Sequence, residues 1–313
     1  MTETATPQAA TIRTAAFDIG GSKIEIARVA PGGAISARAT RPTPHTGWTD
    51  FADAVASLVG LSGGADRIGI SIAGTVDPAT GIANAANIPA ITGHRIAEEL
   101  AAHLGVPVTV GNDADCFALA EALVGAGRGL PIVFAAIFGT GVGGGLVVNG
   151  RLVRGAHGVT GEWGHGPVLA EAVAARGIPL VTCGCGQRGC VDTYGSARGM
   201  ERIHAALAGE QLSSHEITRA WHEGEAAAAG TIDVFVDLIT NPLAMIVNTL
   251  GPSLIPCGGG LSSDAELISR IDQSLRGKVL ARYPHPLVVP GLTRGASGLI
   301  GAAMLAAAPA DEG

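Results

Sequence analysis

The chain has 313 residues, 47% of them hydrophobic, and a formal net charge of −7. That length suffices for two domains with a sizeable core, and the acidic balance gives no electrostatic footprint for nucleic acid. No charged-then-apolar leader opens the sequence, and no apolar run reaches membrane-spanning length without Gly, Pro or a charge, so neither secretion nor a membrane is expected.

Residues 1–11 are rich in Thr and Ala and are expected to be disordered. Apolar–polar alternation then predicts a strand to Ile19, a tight Gly20–Gly21 turn, a second strand over Lys23–Ala30 and a third ending near Thr40. Residues 47–60 read as a helix capped at Thr49, and Arg67–Ala73 as a buried strand. A helix over 93–104 and a strand over Val106–Val110 deliver Gly111-Asn112-Asp113, and Asp113–Val124 is an Ala-rich helix. This mixture is an α/β pattern.

A second α/β set follows. Pro131–Phe138 reads as an apolar strand, Gly139–Gly145 as a glycine turn and Leu146–Asn149 as a returning strand. Helices are expected over 196–208 and 225–250, the latter kinked at Asn241-Pro242. Leu254–Cys257 is a strand entering Gly258-Gly259-Gly260, although Pro256 is unusual there. A helix over Asp264–Leu275, a strand over Leu287–Val289 and a terminal helix over Ala296–Ala307 complete the set. The glycine turns at 18–23 and 139–145 hint at two related halves, with a ligand in a cleft between them.

Three stretches carry chemistry. Asp18-Ile19-Gly20-Gly21-Ser22-Lys23 places an acid at a strand end, then amides, a hydroxyl and an ammonium, a set that can hold a phosphate and its magnesium. Gly139-Thr140-Gly141-Val142-Gly143 offers a second amide-lined turn, and Gly258-Gly259 a third; each alone is equally well a plain turn. Asp113 begins a helix, where an acid is commonly a cap, but a carboxylate there can also accept a proton from an attacking hydroxyl, with Asn112 orienting the same ligand. Cys183, Cys185 and Cys190 lie among glycines, with His165 upstream and Glu162 beside it. Three thiols and one imidazole suit a closed tetrahedral zinc site, with His157 as the alternative fourth ligand. Disulfides and buried free thiols are the competing readings, and the lack of any secretory signal favours a reducing cytoplasm. An imidazole that gives one nitrogen to zinc carries its proton on the other, as a fixed donor.

The motifs DIGGSKI (18–24), GNDAD (111–115), FGTGVGGG (138–145), GEWGH (161–165) and CGCGQRGC (183–190) resemble those of the ROK family of sugar kinases and repressors, within the actin-like ATPase and hexokinase superfamily. The likeness runs from Thr14 to Ala307. It implies two actin-like, hexokinase-like (ribonuclease H-like) α/β domains: 12–118 with 296–313, and 119–295 carrying zinc. It implies ATP-dependent 6-phosphorylation of a hexose or N-acetylhexosamine, with N-acetyl-D-glucosamine the leading substrate and N-acetylmannosamine or glucose as rivals. Asp113 would be the base. Asn112, Asp113, Glu162, His165 and Asp192 would hold the sugar. Asp18, Gly20, Gly21, Ser22, Lys23, Gly139, Thr140, Gly141, Val142, Gly143, Gly258 and Gly259 would hold ATP with Mg2+. His165, Cys183, Cys185 and Cys190 would hold a structural Zn2+, and the chain would form a homodimer. Repressors of the family carry an additional N-terminal winged helix-turn-helix, and too few residues precede the first strand here to build one. A non-catalytic sugar-responsive regulator is the remaining alternative. Two departures stand out: Ser22 where a Thr is usual, and Asp192 where a Glu is usual.

Overall fold

The computed structural model describes residues 12–156 and 158–308. The expectations for residues 1–11, His157 and the end of the chain lie outside them. Contacts divide the chain into two units, one reaching to Asp113 and resuming at Gly298, the other spanning Ala114–Ser297.

In the first unit, β1 (Thr14–Ile19), β2 (Lys23–Val29) and β3 (Ile35–Pro42) form an antiparallel meander. Helix α1 (Trp48–Leu61) leads to β4 (Arg67–Ile72), which lies parallel to β1. A small hairpin, β5 (Thr75–Val76) and β6 (Ala83–Asn84), precedes α2 (Ile96–Leu104) and β7 (Val108–Asn112), and β7 lies parallel to β4. The sheet order is β3-β2-β1-β4-β7. The strands are buried on both faces: Phe17, Ile19, Ile24, Ile68, Ile70 and Ile72 are fully buried on one, and Ala16, Ala27 and Ser71 on the other.

The second unit repeats that order. Helix α3 (Asp113–Leu123) precedes β8 (Ile132–Phe138), β9 (Val142–Val148) and β10 (Arg151–Leu152), an antiparallel meander. Short α4 (Ala170–Ala174) and α5 (Asp192–Gly195) are followed by α6 (Ala197–Ala208), α7 (Ser214–His222) and α8 (Ala226–Leu250). Then come β11 (Ile255–Gly258), α9 (Ala265–Arg276), β12 (Val288–Pro290) and α10 (Ser297–Ala307), the last returning to the first unit. The sheet order is β10-β9-β8-β11-β12, with β11 parallel to both neighbours. Two sheets with the same three-strand meander and the same two parallel additions are the structural form of the related halves expected from the glycine turns.

Several local expectations change. Helix α1 starts after Gly47, which has no side chain to cap it, and Thr49 lies inside the first turn. The glycine run is not one long turn: β9 begins at Val142 and takes in Gly143, Gly144 and Gly145. The reason is close packing. A Cβ on Gly144 would stand 2.6 Å from the Ala135 carbonyl oxygen, and one on Gly145 2.7 Å from the Ala118 Cβ. Helix α8 passes unbroken through Pro242, and the side chains of Asn241 and Lys278 donate to the Asp237 carbonyl beside it. Phe235, Leu238, Ile239 and Leu243 bury this long apolar helix in the core of the unit. Pro256 is tolerated because it falls in a gap of the pairing with β8, between the Val133–Leu254 bridge and the register that resumes at Cys257, where its N–H is not called on.

Candidate active site

Strand β1 ends by presenting Asp18 above the turn into β2. Gly20 closes the turn by donating to the Lys23 carbonyl (3.0 Å), and Thr43 braces it from outside, its hydroxyl donating to the Gly20 carbonyl at 2.6 Å. Gly21 is required by proximity, since a Cβ there would lie 2.7 Å from the Asn87 carbonyl oxygen. Lys23 Nζ donates to Glu25 Oε2 at 2.9 Å, and Arg38 pairs with the same carboxylate. Burial works against ionisation of Glu25, but Lys23 and Arg38 outweigh it and hold the carboxyl below its usual range.

Asp18 behaves in the opposite way. Burial first, then the facing Glu25 charge, raise its carboxyl above the usual range, against Ser71, Lys23 and Arg38. Ser71 is its cross-strand neighbour, yet the buried hydroxyl makes no hydrogen bond of normal geometry, so burial sets the direction. Gly298, in the first turn of α10, sits against the same carboxylate: a Cβ there would be 2.5 Å from Asp18 Cγ. An acid kept in such surroundings at a strand end is costly to fold around, and a cation at the site relieves it. Asn112 closes β7 and donates from Nδ2 to the Gly74 carbonyl at 2.9 Å; Asp113 follows it, exposed.

In the second unit the β8–β9 turn is narrow. Gly139 N–H donates to the Gly141 carbonyl at 2.9 Å, which leaves Thr140 at its tip. Trp163 Nε1 donates to the Gly143 carbonyl at 2.7 Å, so the segment carrying Glu162 and His165 is clamped onto β9. Gly258 and Gly259 are held by packing: a Cβ on Gly258 would meet the Phe117 ring at 2.8 Å, and one on Gly259, at φ +82°, the Phe138 backbone at 2.4 Å. They line a cavity of about 390 Å³ with Phe117, His215, Ser262 and Arg294. Arg294 is fixed there by donating to the Ser262 (2.7 Å) and Gly291 (3.2 Å) carbonyls. Behind it, fully buried Glu121 accepts from the Thr293 N–H (2.7 Å) and hydroxyl (2.6 Å). None of Phe117, His215, Glu121 or Arg294 was legible as a site residue, because Phe117 and Glu121 on α3, His215 on α7 and Arg294 after β12 are far apart in sequence.

His165, Cys183, Cys185 and Cys190 converge so that one ligand atom from each lies within 4.8 Å of the others. A tetrahedral zinc with bonds of about 2.3 Å to sulfur and about 2.0–2.1 Å to nitrogen places its sulfurs ~3.8 Å apart and sulfur ~3.6 Å from nitrogen. Cys185 and Cys190 have their sulfurs 3.7 Å apart, and Cys183 Sγ is 3.6 Å from His165 Nδ1. The donor set fits the ion, and all five cysteines are free thiols rather than disulfides. The Cys185 thiol is held down to about 7, first by the Gln187 backbone N–H and then by its neighbours, while burial pushes Cys190 up to about 12. Three thiols so close ionise together only around a cation. With Nδ1 on the sulfur side, Nε2 faces Glu162 Oε2 at 3.8 Å. Asp192 lies on the other flank: its Oδ1 accepts from the Val142 N–H at 2.7 Å, and Oδ2 is 4.0 Å from Cys183 Sγ.

An N-acetyl-D-glucosamine kinase of Salmonella paratyphi C is 35% identical over 295 residues, covering 92% of this chain and 97% of that protein. A ROK hexokinase from Thermus thermophilus superposes with a TM-score of 0.83 at 28% identity, over 95% of this chain and 98% of the other. A Streptomyces griseus ROK glucokinase, solved with glucose and AMPPNP, gives 0.74 at 29% identity, over 94% and 99%. These likenesses span both units, and both are α/β and actin-like. The ROK family profile matches residues 14–308, essentially the whole described chain, and the protein is a member of the ROK family.

Proposed function

We propose that the chain transfers the terminal phosphoryl group of ATP to the 6-hydroxyl of N-acetyl-D-glucosamine. The observation that carries this reading is the 35% identity to an N-acetyl-D-glucosamine kinase over nearly that enzyme's whole length. Likeness to a glucokinase and a hexokinase keeps glucose as the second substrate to be tried, with N-acetylmannosamine beside it.

Phosphoryl transfer asks for positioning, charge neutralisation and an acceptor for one proton. In this reading the exposed carboxylate of Asp113 accepts the proton of the attacking hydroxyl, and Asn112, tied back to the Gly74 carbonyl, orients it. Glu162 and the His165 Nε2 side take ring hydroxyls. The Gly20–Lys23 and Gly139–Gly141 turns and the Gly258–Gly259 cavity take the nucleotide. Asp18 would lie near the magnesium that comes with ATP, which would offset phosphate charge. His165, Cys183, Cys185 and Cys190 would hold a zinc ion, which would fix the imidazole in one tautomer. The reduced thiols fit a reducing compartment.

Release of ADP with ATP, magnesium and N-acetyl-D-glucosamine tests the reading. The wild type turns over, and Asp113→Asn loses at least about a hundredfold in kcat with its fold intact. Near-normal turnover by that variant would remove Asp113 from the chemistry.

A further inference from the structure

We propose that Glu121 is a positioning residue for the nucleotide: it hangs the loop carrying Arg294 from helix α3 and so fixes one wall of the Gly258–Gly259 cavity. That this cavity takes ATP rests on the kinase reading above; the tether itself stands on its own bonds.

Glu121 lies on α3 and is fully buried. Thr293, 172 residues further on, donates to its Oε1 from both its N–H (2.7 Å) and its hydroxyl (2.6 Å). The Ala126 N–H donates to its Oε2 at 2.9 Å. All three partners are neutral donors, and two of them are backbone groups. A carboxyl buried among neutral groups is costly to fold around unless its oxygens are hydrogen-bonded, and here both are used to hold chain segments. Glutamine cannot take its place. An amide of the same shape turns one oxygen into an NH2, and in either orientation that donor faces a backbone N–H, of Ala126 on one side or of Thr293 on the other.

The loop held in this way walls the cavity. The Gly291 N–H donates at 2.8 Å to the carbonyl of Cys257, one residue before Gly258. Gly291 is wedged in place: a Cβ there would stand 2.9 Å from Glu121 Oε1 and 3.1 Å from the ring of Phe117, which itself lines the cavity. Next to Thr293, Arg294 donates across to the Ser262 carbonyl at 2.7 Å, and the Ser262 hydroxyl donates to the Gly259 carbonyl at 2.8 Å. A continuous run of bonds therefore leads from Glu121 through Thr293, Arg294 and Ser262 to Gly259. Slack at Glu121 is passed to Arg294 and Gly259 together, and a shift of about 1 Å in such a wall is enough to spoil the placing of a ligand.

The test takes Glu121→Gln, Thr293→Val and Thr293→Ser through steady-state kinetics for ATP and sugar separately, calorimetry of ATP binding, and amide hydrogen exchange at Thr293 and Gly291. Glu121→Gln is expected to raise the KM and Kd for ATP about tenfold and to lower protection at both amides about as much, with the sugar KM within about twofold. Thr293→Val, which removes only the hydroxyl bond, raises the KM for ATP about threefold, and Thr293→Ser, which restores that bond, recovers most of the loss. A folded Glu121→Gln whose KM and Kd for ATP stay within about twofold of wild type overturns the proposal. So does a rise in the ATP and sugar KM alike with protection lost throughout α3, which is what a merely structural carboxylate predicts. Should Glu121→Gln not fold, Thr293→Val decides: an unchanged KM for ATP overturns the proposal. If the wild type neither turns over sugar nor binds ATP, the kinase reading fails, while exchange at Thr293 and Gly291 still judges the tether.

Discussion

Trp163 joins the segment carrying Glu162 and His165 to the glycine strand, and Trp163→Phe measures how much that junction contributes. The indole is 9% exposed, its Nε1 donates to the Gly143 carbonyl at 2.7 Å, and its ring meets Phe138 edge-on at 5.8 Å and Phe134 at 6.4 Å. Phenylalanine keeps an aromatic ring but has no donor, which costs about 0.5–1.5 kcal/mol. The volume of the missing ring atoms adds on the order of 1–2 kcal/mol of lost burial. Together these come to about 1.5–3.5 kcal/mol. For a unit of this size each kcal/mol moves Tm by about 2–4 °C, so the variant should melt roughly 3–14 °C lower. The neighbouring Glu162 and His165 lose their fixed backbone, so the sugar KM should rise as well. Calorimetry under conditions where unfolding reverses is the assay. A Tm within about 2 °C of wild type would show that the indole is not the clamp described here.

Asp18→Asn should raise thermal stability while abolishing turnover. The folded-state pKa of Asp18 lies above the unfolded value, so the folded chain binds the extra proton, and stability falls as pH rises through that window. Asn carries no such charge, and the stability difference between variant and wild type should therefore vanish in acid. If the cluster holds zinc as proposed, Cys185→Ser should abolish its binding and lower Tm, checked by metal content per chain, where one zinc retained would remove Cys185 from the ligand set. Gly144→Ala should destabilise by about 1–3 kcal/mol, because the new methyl meets a strand carbonyl that cannot move aside; an unchanged urea midpoint would contradict that packing.

Much of this was legible in the sequence, for reasons that are local. The turn after Asp18, the strand that delivers Asn112 and the Cys₃His grouping rest on short-range spacing, and the structure assembles each. Gly143–Gly145 misled because glycine serves both tight turns and close packing, and only the approach of Ala135 and Ala118 tells the two apart. Helix α7 went unread although its capping box, Ser213 with Glu216, was there to be seen. The cavity residues His215 and Arg294, and the bond from Val142 to Asp192, are tertiary facts: residues distant in sequence come together, and no periodicity announces them. Asp192 shows the limit of resemblance as well, since the motif marks the position but not what the shorter acid touches.

The most direct test of the central claim is kcat/KM for ADP release with ATP and magnesium across N-acetylglucosamine, N-acetylmannosamine, glucose, mannose, fructose and allose. The account predicts turnover with a clear lead for N-acetylglucosamine. A lead for another hexose would contradict the substrate assignment, and silence across the panel with zinc bound would contradict the kinase itself.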